Sequence, residues 1–122
     1  MRTAAQTYAE TAQATGNPRE LEAQLLMRAA AKLQEVRAGK SDREIASAVR
    51  YNRRLWLIFA GAIARPDNPL PREIKQNVAN LALFVVKRSM SLETSTAPVL
   101  EHLGVLITIN RELAAGLRAR GA

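Results

Sequence analysis

Apolar residues recur every three or four positions along most of this chain, and the pattern breaks at clusters of proline, glycine and small polar residues. That spacing predicts helices. A period of 3.6 gathers such positions on one side of an α-helix, whereas a strand alternates at every second residue. From Ile45 the steps run through Val49, Asn52, Trp56 and Phe59 to Ile63. From Ile74 they run through Val78, Leu81 and Val85 to Leu92, with Arg88 in the one polar slot. A third series is Leu103, Leu106, Asn110, Leu113 and Leu117. At about 100° per residue, each series occupies a narrow stripe.

Capping signals place the helix ends. Asn17-Pro18-Arg19-Glu20 combines an N-cap asparagine, a proline at the first helical position and a glutamate three residues after the cap. It predicts a helix from Pro18 to about Ala38, closed by Gly39. Ser41-Asp42-Arg43-Glu44 repeats the capping box and predicts a second helix to about Ala64. Pro66, Pro69 and Pro71 then break the chain, and Pro71 is placed to start a third long helix ending near Leu92. The polar run 93–97 predicts a loop, with Pro98 in the first turn of a fourth helix reaching about Arg118. Ahead of these, residues 4–14 predict a short helix docked on the rest. The expectation is an all-α fold, a compact antiparallel helical bundle of four long helices plus a short N-terminal helix, forming a single helical domain over residues 1–122.

Two polar residues interrupt the stripes at their centres. Asn52 and Asn110 point into the expected core, where an unbonded carboxamide costs about 1–3 kcal/mol. Their natural partners are each other, or a backbone carbonyl at a helix end. One reading is a structural pin, since asparagine in an apolar seam fixes register at a cost in stability; the other is a functional contact. Trp56 belongs to the same seam. Arg53 and Arg111 each follow their asparagine by 100°, at the core margin, where the alkyl stem packs and the guanidinium reaches out. Arg54 lies about 200° from Asn52 and faces solvent, sharing that outer face with Arg50, Leu57 and Gly61. Leu83 is on the outer face of the third long helix and Phe84 flanks its stripe.

Composition narrows the function classes. Hydrophobic residues reach 48% while aromatics are only 4%, which suits alanine- and leucine-rich helices better than sheets. There is no cysteine, so no disulfide and no thiolate nucleophile. The lone His102 has no second histidine or cysteine to form a metal set or a dyad with. The carboxylates read as helix caps and exposed ion pairs. No enzyme, metal or cofactor is expected. The net charge of +7 attracts acidic partners in general. Its basic residues are spread over every helix, however, and strand-binding aromatics are lacking, so nucleic acid is not the expected ligand. No apolar run approaches the length that spans a bilayer, and the first twenty residues carry no signal-peptide core. A cytoplasmic protein without membrane insertion is expected.

The stretches TYAETAQATGNPRELEAQLLMRAAAKLQ, YNRRLWLIF, NPLPREIKQNVANLALFVVKR and LITINRELAAGL, in this order over residues 8–117, resemble the flagellar biosynthesis regulator FlaF family. The matching positions are Tyr8, Pro18, Arg19, Asn52, Arg53, Leu55, Trp56, Asn68, Leu70, Pro71, Leu81, Phe84, Val85, Asn110 and Arg111. The resemblance implies a small, non-enzymatic cytoplasmic protein needed for flagellin production and export. Two roles go with it: a chaperone that holds flagellin, and a post-transcriptional positive regulator of flagellin synthesis acting on its mRNA or translation machinery. It assigns no ligand residues.

Residue chemistry favours the chaperone. Unassembled flagellin exposes amphipathic terminal helices, and a bundle covers them with spare apolar residues beside complementary charge. The candidate partner-binding set is Leu57, Leu83 and Phe84 with a basic rim of Arg50, Arg53, Arg54 and Arg111, together with Tyr8 of the short helix. Flagellin is the expected partner, with the flagellar export machinery a further one.

Overall fold

The computed structural model describes residues 2–14, 16–94 and 98–120, which form five α-helices. These are α1 (Ala4–Ala14), α2 (Pro18–Arg37), α3 (Asp42–Ile63), α4 (Arg72–Thr94) and α5 (Val99–Ala119). The caps act as the capping boxes predict. Asn17 accepts from the Glu20 amide at 3.1 Å, and Ser41 accepts from the Glu44 amide at 3.3 Å. After α2 the chain turns at Gly39, whose φ of 114° suits glycine, while the Val36 carbonyl accepts from both Gly39 and Lys40.

One boundary differs from expectation. α4 runs past Leu92 to Thr94, because neither Glu93 nor Thr94 breaks a helix; the breaker is Pro98. Residues 95–97 of the expected loop lie outside the described residues.

The helices pack as an antiparallel bundle. α5 lies against α2 over the longest stretch, α3 packs on both α2 and α4, and α4 closes on α5 more thinly. α3 and α5 are diagonal neighbours whose backbones do not come close. The short α1 rests mainly on α3. There the absence of a side chain at Gly61 matters: a Cβ would sit 3.2 Å from the Ala5 methyl. The α3–α4 link is tied down by Arg65, which pairs with Asp67 through two contacts of 3.1 Å, and by Asn68, which accepts from the Leu70 amide at 3.0 Å. Lys75 donates to the Arg65 carbonyl at 2.8 Å, and Leu70 inserts into the core.

Leu26 and Leu33 of α2, Trp56, Phe59 and Ile63 of α3, Val78 and Val85 of α4, and Leu103, Leu106 and Leu117 of α5 build the interior. Each such side chain contributes about 1.5–3 kcal/mol by leaving water. Ile45, Ile74, Leu81, Leu92 and Leu113, expected within the stripes, pack at the rim and are half-buried.

Candidate functional site

Three arrangements stand out against this frame. The first is the seam. Asn52, Trp56 and Asn110 are fully buried. Asn110 accepts from the Trp56 indole N–H at 2.9 Å through Oδ1, and its amide donates to Asn52 Oδ1 at 2.8 Å and to the Leu26 carbonyl at 3.1 Å. One side chain of α5 therefore ties α3 and α2 together across the diagonal. The expected asparagine–asparagine bond is present. The backbone acceptor differs from expectation, being in the middle of α2 rather than at a helix end, and it uses the second lone pair of a helical carbonyl. The bond from Trp56 was not foreseen. Asn52 Nδ2 has no hydrogen-bond partner among the described residues, which leaves the network lopsided. The seam is a buried hydrogen-bond network that joins α2, α3 and α5.

The second arrangement is the outer face of the α3–α4 pair. Leu57, Leu83 and Met90 are 55%, 56% and 55% exposed. The bond from Lys75 to residue 65, and the shared cavity wall of Ala46 and Leu92, set the antiparallel register. In that register Leu57 stands level with Leu83 and Arg50 level with Met90. Arg50 and Arg54 are exposed on the outward flank of α3, and Arg53 is half-buried beside them. An apolar row bordered by cations results.

The remaining candidates do not join this face. Phe84, 39% exposed, is 100° further round α4 and carries the Arg88 guanidinium 4.8 Å above its ring, while Arg88 Nη1 donates to His102 Nδ1 of α5 at 2.9 Å. Phe84 thus belongs to the α4–α5 seam. Arg111 is exposed on α5, diagonal to α3, so the four-arginine rim divides between two faces. Tyr8 turns inward: its ring meets Phe59 edge-on at 6.5 Å. Met90 is not among the expected residues, since it lies off the inward stripe of α4; its angular position, close to that of Leu83 seven residues earlier, holds the signal.

The third arrangement is a corner where α1, α2 and the α3–α4 link meet. Glu22 is only 2% exposed, whereas the carboxylates are expected mostly as helix caps and exposed ion pairs. Its spacing to Leu26, Ala29, Leu33 and Val36 places it in the inward stripe of α2, a signal present in the chain. Arg19 Nη2 donates to Glu22 Oε2 at 3.1 Å. Arg19 Nε stands 2.7 Å from Oε1, but its N–H is not aligned on that oxygen, so the second approach is an ion pair and not a directed bond. Burial pushes the Glu22 carboxyl up, and Arg19 opposes it. Burial beside Glu22 also pushes the Tyr8 phenol up.

The sign of the Glu22 shift gives a test. A carboxyl raised in the folded state contributes stability at low pH that is lost as pH rises through its folded value. Glu22→Gln removes that dependence, while the lowered carboxyls of Glu20 and Asp67, held by Arg118 and Arg65, are common to variant and parent. Thermal melts from about pH 4 to pH 7 should therefore shift in favour of the variant relative to the parent. A shift in favour of the parent would show that the fold stabilises the Glu22 carboxylate.

These features define a small α-helical protein with a hydrogen-bonded polar network in its core, an apolar row with cationic borders, and no helix among the described residues that is long and apolar enough to cross a membrane. The chain belongs to the FlaF family, the flagellar protein FlaF, whose family model matches residues 4–117. Its role lies in flagellum biogenesis. No curated protein and no solved structure matched it.

Proposed function

We propose that this protein is a non-catalytic, cytoplasmic chaperone that holds a helical terminal segment of flagellin before export. The observation that carries the reading is the row of Leu57, Leu83 and Met90 beside Arg50 and Arg54 on the α3–α4 face. Exposed apolar side chains arranged along two packed helices form the lining that an amphipathic helix needs, with anchors at helical spacing. The cationic border favours a segment with acidic residues beside its apolar stripe, and raises the rate of encounter. Handing the segment to the export machinery requires only that the face release it. Regulation of flagellin synthesis then follows from how much flagellin is held.

The test is a double variant, Arg54→Glu with Leu57→Ser, mixed with flagellin of the same cell and followed by size-exclusion chromatography. Both side chains are exposed, so the melting transition should stay within about 0.5 kcal/mol of the parent. Flagellin binding should fall, because an attraction becomes a repulsion and an apolar anchor is lost. Undiminished binding by the folded variant would remove this face from the interface. The regulator reading makes the opposite demand: sequence-selective binding of flagellin mRNA that survives 200 mM salt, where non-specific phosphate contacts lose most of their affinity.

A further inference from the structure

The α1–α2 corner has no part in the face just described, and its chemistry is different. Tyr8, Pro18, Arg19, Glu22, Ala62 and Asn68 line a cavity of about 270 Å³ that opens to the surface. Its walls are mostly apolar, from Pro18, Ala62 and neighbouring Ala9 and Pro69. Two polar atoms of its lining residues are buried and under-used: among the described residues, the Tyr8 hydroxyl has no hydrogen-bond partner, and Glu22 Oε1 has only the misaligned approach of Arg19. Buried polar side chains are rarely left this way in folded proteins.

We propose that this cavity binds a primary carboxamide, the group carried by a glutamine or asparagine side chain. Charge decides against an ion. Arg19 and Glu22 neutralise each other, and Asp67 at the rim is held by Arg65, so neither an anion nor a cation finds an uncompensated counter-charge. A neutral group with both an acceptor and donors fits: its carbonyl accepts from the Tyr8 O–H, and its NH₂ donates to Glu22 Oε1. The proline and alanine walls take the methylene stem. An ester offers the acceptor without the donor, and a carboxylate brings its charge beside Glu22.

The experiment is a titration of the ¹⁵N-labelled full chain followed by NMR, with N-acetyl-L-glutamine methylamide as probe. N-acetyl-L-glutamate methylamide and the corresponding methyl ester are controls, and free L-glutamine is a separate arm. The expected result is a saturable shift of the Ala9, Glu22 and Ala62 amides, with the carboxamide probe preferred over both controls. Tighter binding of the capped probe than of free glutamine assigns the site to a side chain of a partner protein. Tighter binding of free glutamine assigns it to the small molecule. Tyr8→Phe should weaken the probe about fivefold, the scale of one neutral hydrogen bond, with Tm unchanged or raised because an unpartnered hydroxyl is removed. Ala9→Leu, which intrudes from a helix that tolerates leucine, should abolish binding. No saturable shift, an equal response to the glutamate control, or full binding by both folded variants would overturn the proposal. None of these outcomes bears on the flagellin experiment, which reads a different face.

Discussion

Trp56→Ala should lower the stability of the fold by about 3–5 kcal/mol, the range for deleting a large buried aromatic. The effect has two sources. The indole fills the centre of the bundle with none of its surface exposed, and it packs edge-on against Phe59 with ring centres 6.0 Å apart. Its N–H is also the donor to Asn110 Oδ1. Trp56→Phe separates the two contributions, since it keeps most of the apolar contact and removes the donor. It should cost about 1–3 kcal/mol for the orphaned acceptor, plus a smaller packing loss. Urea melts of the three proteins measure both steps. A Trp56→Ala variant melting with the parent would mean that the side chain is not in the core, and the whole seam assignment would fall with it.

The seam was legible in the chain because every residue that makes it sits on a helix whose period is intact. Asn52 and Asn110 occupy the centres of two apolar stripes, and two such stripes can meet only in the interior. Glu22 is equally placed by the spacing of α2, but a carboxylate in the first turns of a helix is also explained as a favourable dipole partner, and the chain alone does not separate the two. What single-helix angles do not contain is the order of helices around the bundle. Arg111 and Arg54 each point outward from their own helix, yet their helices are diagonal, so the two do not share a face. Leu83 and Phe84 are adjacent in sequence and lean towards different neighbours for the same reason. Tyr8, expected in the partner-binding set, turns inward instead, because its surroundings come from residues as distant as Phe59 and Glu22. The outer apolar row lay between these cases: Leu57 and Leu83 were visible as outward residues, but only the α3–α4 register brings them level.

Asn110 and Asn52 should differ in their effects, although both are fully buried asparagines in matched stripes. Asn110 engages three partners on two other helices, the Trp56 indole, the Asn52 side chain and the Leu26 carbonyl. Leu26 also accepts within α2, so losing Asn110 leaves two groups stranded, the Trp56 N–H and the Asn52 carboxamide. At about 1–3 kcal/mol for each orphaned group, Asn110→Ala should rival Trp56→Ala. Asn52→Ala removes one acceptor from an Asn110 amide that keeps Leu26, and it also removes the unpartnered Asn52 Nδ2. Its cost should therefore fall well below that of Asn110→Ala. The double variant Asn52→Ala/Asn110→Ala should cost less than the two single losses added, because each single change already breaks the shared bond; contacting residues of this kind couple by about 0.5–3 kcal/mol. Tryptophan fluorescence supplies an independent readout, since loss of Asn110 removes the hydrogen-bond acceptor of the indole N–H while Asn52→Ala leaves that bond in place. Urea melts and emission spectra of the three variants decide the matter. Equal losses for the two single variants, with strict additivity in the double, would show that the asparagines are separate buried polar residues and that no shared pin joins α2, α3 and α5.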